Sequence, residues 1–183
     1  MANHNTKWNG IIVRCSDQDI YYPSIVGKAL DTIASRRLGK SLLHSIHKRA
    51  HLEKFGYTVC IQKPNGVHGK VNDGGTVVNS WNNIAVRVSE ENATNGTGTQ
   101  TAIKWNPNLI MGDGAERPPF ISLAHELIHA MNNLRGTAFA DTKTEEMKTV
   151  GLGAHANARK RNENAIRDEH ELTLRDRYTG YYP

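Results

Sequence analysis

Residues 121–131 read ISLAHELIHAM, and the rest of the architecture can be worked out from this segment. Apolar residues surround its two histidines and its glutamate on nearly every side, which predicts a helix that is buried over most of its surface. Pro118-Pro119 favours a helix start, because proline is tolerated in a first turn, and Gly136 favours an end after about Leu134. The segment therefore predicts a buried helix that carries two histidines.

His125, Glu126 and His129 form the pattern HExxH within that helix. Residues four apart share a helix face, so the imidazoles of His125 and His129 can point at one ion while Glu126 lies beside it. A catalytic zinc takes three protein ligands and a water, and a neighbouring carboxylate accepts the proton of that water as it attacks a carbonyl. Two buried imidazoles without a partner would be costly. The motif in this setting predicts a Zn²⁺ site with Glu126 as the general base.

The third zinc ligand must come from elsewhere in the chain. The metzincin pattern HExxHxxGxxH is excluded, because Asn132 and Arg135 stand at the positions of its glycine and its third histidine. Glu145 and Glu146 fall on the next predicted helix, where neighbours lie about 100° apart around the axis, so only one of them can face the metal. The other is then placed to hydrogen-bond a zinc ligand. His155 is the alternative third ligand, since imidazole also suits zinc.

The pattern around this helix predicts a mixed α+β architecture. Apolar runs at residues 11–13, 57–63 and 101–105 predict strands, and the proline at 107 is compatible with a sheet edge for the last of them. A helix is predicted from Ser24 to Leu38, ended by a glycine at position 39. These elements supply a scaffold for the zinc helix.

With 183 residues, the chain has the length of one domain with its own core. We expect a flexible segment at residues 1–10 and a single domain over residues 11–183. The first residues lack the apolar core of a Sec signal peptide, and no apolar run is long enough to span a membrane. Cys15 and Cys60 each stand alone in apolar surroundings, which predicts two buried thiols and no disulfide.

The net charge of +5 comes from 23 basic and 18 acidic residues. The basic residues are scattered, and they are not interleaved with aromatic residues as they would be on a nucleic-acid platform. We therefore expect neither nucleic acid nor a membrane as a partner, and we expect a monomer. A nucleic-acid-binding protein would have to show steeply salt-dependent binding that is indifferent to a chelator.

A charged stretch from about Ala158 to Tyr178 predicts a further helix. Glu163 lies near its start. Charged residues on such a helix are usually solvated, so a solvated carboxylate is the first interpretation of Glu163, and hydrogen bonding to a zinc ligand is the alternative.

Two motifs resemble the light-chain proteases of the clostridial neurotoxins. The HELIH segment is followed by Glu145-Glu146-Met147-Lys148-Thr149, which is similar to the EEL-x-T motif of that family. The resemblance implies that Glu146 binds zinc and that Glu145 supports the ligands. Residues 175–178 are similar to its R-x-x-Y motif, whose Arg and Tyr stabilise the tetrahedral intermediate. Three apart on the predicted helix, Arg175 and Tyr178 would share a face and offer a cation and a phenol to a developing oxyanion.

The size of the chain and two further motifs resemble the NleD-like zinc metalloprotease effectors. These motifs are EE-x-x-T-V-G-L at residues 145–152 and L-R-x-R-Y at residues 174–178. The resemblance implies a single zincin-like (gluzincin) α+β domain, with a small mixed sheet packed against the HExxH helix and further helices. It also implies a zinc metalloendopeptidase that a bacterial type III system injects into the host cell cytosol, with host signalling proteins of the MAP kinase class as substrates.

An alternative from a different class is a catalytically silent zinc-fold module that binds a protein partner. Such a module would bind metal without turnover. The intact Glu126 argues against it, because a silent domain has no need of a carboxylate beside the zinc water.

Overall fold

The computed structural model describes residues 1–49, 58–63, 70–71, 77–78, 83–108, 111–112, 115–157 and 160–178. The strands are β1 (Ala2–Asn5), β2 (Ile11–Cys15), β3 (Val59–Gln62), β4 (Lys70–Val71), β5 (Val77–Val78), β6 (Ile84–Arg87), β7 (Thr101–Lys104), β8 (Met111–Gly112) and β9 (Ala115–Glu116). The helices are α1 (Tyr22–Ala34), α2 (Arg37–His47), α3 (Glu90–Thr94), α4 (Pro119–Arg135), α5 (Thr142–Val150) and α6 (Glu163–Glu169), with a 3-10 turn at Gly153–His155. Within these ranges, no helix has the length and apolar character needed to cross a bilayer.

The main sheet contains five strands in the order β1-β2-β3-β7-β6. Strands β2, β3 and β7 are parallel, while β1 and β6 pair antiparallel at the two edges. The chain is thus a single α+β domain with the small mixed sheet that we predicted. The strand predicted at residues 101–105 is interior rather than at an edge, because Pro107 follows the end of β7 and leaves its ladder free to pair with β6.

Strand β1 lies within the segment that we predicted to be flexible. Ala2 pairs opposite Cys15 and Asn5 opposite Ile12. Exposure alternates along β1, as expected for an edge strand with one wet face. Residues 1–10 therefore contain regular structure, because even a polar segment can satisfy its backbone groups by pairing with a strand edge. The domain boundary at residue 11 stays a prediction.

The core lies between one face of the sheet and helices α1, α2 and α4. Trp105 is fully buried at the centre of this layer. Its carbonyl accepts a hydrogen bond from the Tyr22 hydroxyl at 2.8 Å, and its indole N–H donates to the Ser122 hydroxyl at 2.9 Å. These two bonds tie α1 and α4 to the end of β7. Cys15 and Cys60 are buried free thiols, as predicted.

The helix that we predicted from Ser24 to Leu38 ends earlier, and the break between α1 and α2 falls at residues 35–36. Helix α1 ends at Ala34, and Gly39 lies within the first turn of α2. A Cβ atom at Gly39 would lie 2.0 Å from the carbonyl oxygen of Ile33. The glycine therefore permits the close approach of α2 to the end of α1 and does not stop a helix.

Helix α6 is much shorter than the predicted helix from about Ala158 to Tyr178. It ends at Glu169, and Glu171 takes a left-handed conformation with φ 57°. Beyond that point the Asn164 side chain accepts from the backbone N–H of Arg175 and donates to its carbonyl, both at 2.8 Å. The prediction of a helix up to Tyr178 is wrong, because the Asn164 side chain bonds the backbone N–H and carbonyl of Arg175, which in a helix would bond to other backbone groups. Residues 158–159 lie outside the described residues.

Candidate metal centre

Helix α4 carries the HExxH residues deep in the protein. Pro118 precedes its first turn and Gly136 ends it in a left-handed conformation, as the sequence predicted. His125 and Glu126 are each 4% exposed. The Nε2 atoms of His125 and His129 lie 3.2 Å apart, and the two rings meet edge to face at 74°. The helix thus brings two imidazole nitrogens together in a buried environment.

Helix α5 brings Glu146 to the same point. Its Oε2 atom lies 3.1 Å from His125 Nε2, and its Oε1 atom lies 3.2 Å from His129 Nε2. The ligand atoms that His125, His129 and Glu146 offer all lie within 4.8 Å of one another. Two ligands of a tetrahedral zinc ion, each about 2.0–2.1 Å from it, lie about 3.3 Å apart. The spacing of these three side chains therefore fits a zinc ion.

The charges of the cluster favour a cation at its centre. Burial opposes protonation of the imidazoles, but hydrogen bonds and charges of nearby carboxylates outweigh it, raising the pKa of His125 and raising that of His129 to about 10. Burial also opposes ionisation of Glu146, but both histidines hold the pKa of this carboxyl well below its usual range. The Oε2 atom of Glu146 is buried and lies 3.1 Å from His125 Nε2. A divalent metal ion supplies the positive charge that this carboxylate requires, and two imidazoles with a carboxylate suit zinc.

Glu126 follows His125 on α4 and lies close enough for its charge to act on His129. Burial lowers the pKa of His129, but Glu145 and Glu146 raise it. The negative charge of Glu126 adds a smaller increase. A buried carboxylate next to a metal centre is the arrangement that a general base needs.

The carboxylate of Glu145 points away from the two Nε2 atoms and hydrogen-bonds the loop after α4. Its Oε1 atom accepts from the Asn132 side chain at 2.8 Å and lies 3.4 Å from His129 Nδ1. Its Oε2 atom accepts from the backbone N–H of Phe139 at 2.8 Å. Burial raises the pKa of Glu145, but the bonds from His129, Phe139 and Asn132 bring it below its usual value. Glu146 therefore lies near the Nε2 atoms of the two histidines. Glu145 lies on the opposite side of the His129 ring, near Nδ1.

His155, the alternative third ligand, is not part of this group. Among the described residues, the possible ligand atoms that converge belong to His125, His129 and Glu146. His155 lies in the 3-10 turn after α5, where its ring centroid is 6.0 Å from that of Phe139. The geometry therefore favours Glu146, whose role as a ligand stays a prediction.

Glu163 is a residue that the sequence interpretation underrated. Its side chain is fully buried, and its Oε2 atom lies 2.8 Å from His125 Nδ1 and 3.0 Å from the guanidinium of Arg175. Its Oε1 atom accepts from Arg167 at 2.7 Å. Burial opposes its ionisation, but His125 and the nearby arginines hold its pKa well below the usual range. Glu163 is therefore a buried carboxylate that joins a candidate zinc ligand to two cations.

The start of α6 explains how Glu163 is held in this position. Asn162 caps the helix by accepting from the Ala165 N–H at 2.8 Å. Gly151, at the end of α5 with φ 86°, leaves room for Asn162, because a Cβ atom there would lie 2.5 Å from the asparagine side chain. The sequence contained a sign that Glu163 could be buried with a charged partner. Glu163 and Arg167 stand four apart, as in a helical ion pair, and the apolar pair Ala165-Ile166 lies between them.

Arg175 and Tyr178 come from the extended segment after α6 and not from one face of a helix. Arg175 is 5% exposed and bonds Glu163, so a single carboxylate separates its guanidinium from His125. The guanidinium carbon lies 5.7 Å from the centroid of the Tyr178 ring. The structure thus brings the two residues together by stacking, although the helical reason given for their proximity was wrong.

Comparisons with known proteins give a family and a similar fold. The family model Peptidase_M91, described as "Effector protein", matches residues 13–178. Among solved structures, the botulinum neurotoxin type G light chain is similar with a TM-score of 0.52, at 14% identity over 70% of this chain and 44% of that chain. The botulinum neurotoxin serotype C1 light chain protease has a TM-score of 0.49, at 17% identity over 70% of this chain and 39% of that chain.

The likeness to the type G light chain concerns the fold alone. This chain spans less than half the length of either light chain. A comparison with curated protein sequences gives no match.

Proposed function

Because this chain belongs to the Peptidase_M91 family of effector proteins, we propose that it is a metalloendopeptidase that uses zinc to cleave proteins of a host cell. The family match bears out the resemblance to the NleD-like effectors, and the fold bears out the resemblance to the neurotoxin light chains. The observation that carries the proposal is the convergence of His125, His129 and Glu146, whose ligand atoms lie within 4.8 Å of one another.

We assign the metal to His125, His129 and Glu146. A zinc ion held there would polarise the scissile carbonyl as a Lewis acid and would lower the pKa of the attacking water. Glu126 accepts a proton from the attacking water and delivers it to the leaving amine. Glu145 holds His129 from the side opposite the metal, as the carboxylate partners of metal-bound histidines do. No covalent intermediate with the protein is required.

Arg175 and Tyr178 are proposed to stabilise the negative charge that develops on the carbonyl oxygen. A guanidinium and a phenol are suitable donors for such an oxyanion. The burial of Arg175 and its bond to Glu163 support this role, because a donor that is already fixed does not have to be ordered during the reaction.

The route and the substrate class follow from the family resemblance. We propose delivery by a type III secretion system into the host cytosol, and cleavage of signalling proteins of the MAP kinase class. The description of the matched family as effector proteins supports delivery to a host. The chain is proposed to act as a monomer.

Proteolysis in a host-cell lysate tests this function. Native protein and Glu126→Gln protein are incubated with lysate, with and without a chelator, and new peptide termini are mapped by mass spectrometry. We expect chelator-sensitive termini in MAP kinases with native protein, and turnover lower by about a thousandfold with Glu126→Gln, which removes the general base but no metal ligand. Glu91→Gln, an exposed change on α3, serves as the matched control.

One result would contradict the proposal. If native protein held zinc and produced no chelator-sensitive termini in any host protein, the catalytically silent binding module would become the better account. If it produced such termini in proteins other than kinases, the peptidase function would stand and the proposed substrate class would be wrong.

A further inference from the structure

A cavity of about 670 Å³ lies beside α4, around the helix from the metal ligands. Its walls come from the start of α2, the C-terminal half of α4, the loop after α4, Lys148 of α5, His155 and residues 160–162. None of His125, His129 and Glu146 is among the described residues that line it. Its volume falls within the range of pockets that hold small molecules.

The lining of this cavity carries charge of one sign. Six basic or imidazole side chains line it, and no carboxylate is among the described residues that do so. They are Arg37, Arg135, Lys148, His155, Lys160 and Arg161. A concave surface with a single sign of charge focuses the electric field and concentrates counter-ions. The cavity is therefore built to attract an anion.

The cations in the cavity repel one another. Burial lowers the pKa of Arg135, and the positive charges of Arg161 and Arg49 lower it further. A bound anion would relieve this repulsion.

Within the described part of the chain, the contacts of these side chains leave much of the positive charge without a paired carboxylate. Lys148 donates to a backbone carbonyl at 2.6 Å, and Arg161 donates to the Ser41 hydroxyl at 2.9 Å, so both cations bond neutral oxygens. Arg37 lies 3.6 Å from Glu169, but its side chain is 77% exposed, so this ion pair stands at the mouth of the cavity and is screened by water.

We propose that this cavity binds a small molecule that carries several phosphate groups. Arginine and lysine are the residues that recognise phosphate oxygens, arginine through two parallel bonds and lysine as a point charge. Because the cations come from several segments that line one concave space, a compact ligand with phosphates on several sides suits the cavity better than an extended acidic peptide.

The position of the cavity connects such a ligand to the metal centre. Asn132 and Phe139 line the cavity, and the same two residues donate to the carboxylate of Glu145. Glu145 in turn lies beside His129. A ligand in the cavity would therefore contact the residues that hold Glu145, and it would stabilise the loop after α4.

Titration calorimetry of zinc-loaded native protein with inositol hexakisphosphate tests the proposal. We expect saturable binding of one molecule per chain. The variant Lys160→Gln/Arg161→Gln removes two cations from the cavity, and we expect its affinity to be at least about tenfold lower. The control Lys28→Gln/Lys104→Gln removes the same charge from two exposed positions, so its affinity should match that of native protein.

Two further measurements keep the outcome interpretable. The melting temperatures of both variants should match that of native protein, and the zinc content before and after titration shows whether the phosphates have extracted the metal. Vesicles with and without phosphatidylinositol 4,5-bisphosphate distinguish the two sources of such a ligand. Binding of soluble inositol hexakisphosphate supports a free polyphosphate. Binding only to the phosphoinositide vesicles supports a lipid headgroup. The proposal is overturned if neither probe binds, or if the control variant weakens binding as much as the cavity variant.

Discussion

The Oε2 atom of Glu163 lies 2.8 Å from Nδ1 of His125, although 38 residues separate the two in the chain. An imidazole that donates from Nδ1 directs the lone pair of Nε2 to the opposite side, and His125 Nε2 lies 3.1 Å from Glu146. The buried carboxylate therefore orients this candidate ligand, with its Nε2 atom toward Glu146. The same oxygen accepts from Arg175, so one residue holds both a candidate ligand and a candidate oxyanion donor.

Glu163→Gln is expected to lower zinc affinity by about 10- to 100-fold, because the neutral amide orients His125 less firmly and makes its nitrogen a weaker ligand. The measurement is competition with a chromophoric chelator, and circular dichroism checks that the variant is folded. Glu91→Gln, exposed on α3, is the control. A folded Glu163→Gln protein with native zinc affinity would show that the bond to His125 does not tune the metal centre.

Tyr178→Phe is expected to reduce kcat by about a hundredfold, since loss of one oxyanion donor costs that much in other hydrolases. Zinc content and melting temperature should remain those of native protein, because the change removes only a hydroxyl. Arg175→Lys should also reduce kcat, since lysine lacks the planar fork of the guanidinium. The substrate is a peptide that native protein cuts.

Arg177→Lys provides the matched control for Arg175→Lys, because Arg177 is exposed two residues away. Equal kcat values for native protein, Tyr178→Phe and Arg175→Lys would remove both residues from the mechanism. If Arg175→Lys lowered the zinc content as well as kcat, the role of Arg175 would instead be to hold Glu163 in place.

Gly39→Ala is expected to destabilise the fold by about 2–3 kcal/mol, because a Cβ atom there meets the backbone of Ile33 and the two helices must separate. Gly27→Ala is the control, since Gly27 lies within α1 with nothing within 4 Å of a Cβ atom. That change should stabilise by about 0.5–1 kcal/mol, the ordinary helix preference for alanine. Urea unfolding measures both. Equal effects of the two substitutions would contradict the close approach of α2 to α1.

The sequence predicted the parts of the site whose signals are local. The apolar surroundings of His125 and His129 predicted a buried helix, and that helix spans Pro119–Arg135. The 100° between neighbouring helix positions predicted that only one of Glu145 and Glu146 would face the imidazole pair, and Glu146 is the one that lies near both Nε2 atoms. Helical periodicity is sufficient for such inferences, because it fixes which side chains share a face.

The parts that the sequence did not predict depend on contacts between distant segments. A run of charged residues predicts a solvated helix, and only the folded chain brings Glu163 to His125 and Arg175. The end of α6 was also misjudged, because the hydrogen bonds between Asn164 and Arg175 replace a local pattern with a tertiary one. The glycine at 39 misled for the same reason, since the approach of Ile33 is invisible in a linear pattern.

The ligand set of the metal centre is tested most directly by the zinc content of purified protein, measured by plasma mass spectrometry after gel filtration. Native protein should carry one zinc ion per chain, His155→Ala should keep it, and Glu146→Gln should lose most of it, because Glu146 supplies the only carboxylate that faces both imidazole Nε2 atoms among the described residues. Full zinc in Glu146→Gln together with loss of zinc in His155→Ala would contradict this account of the centre.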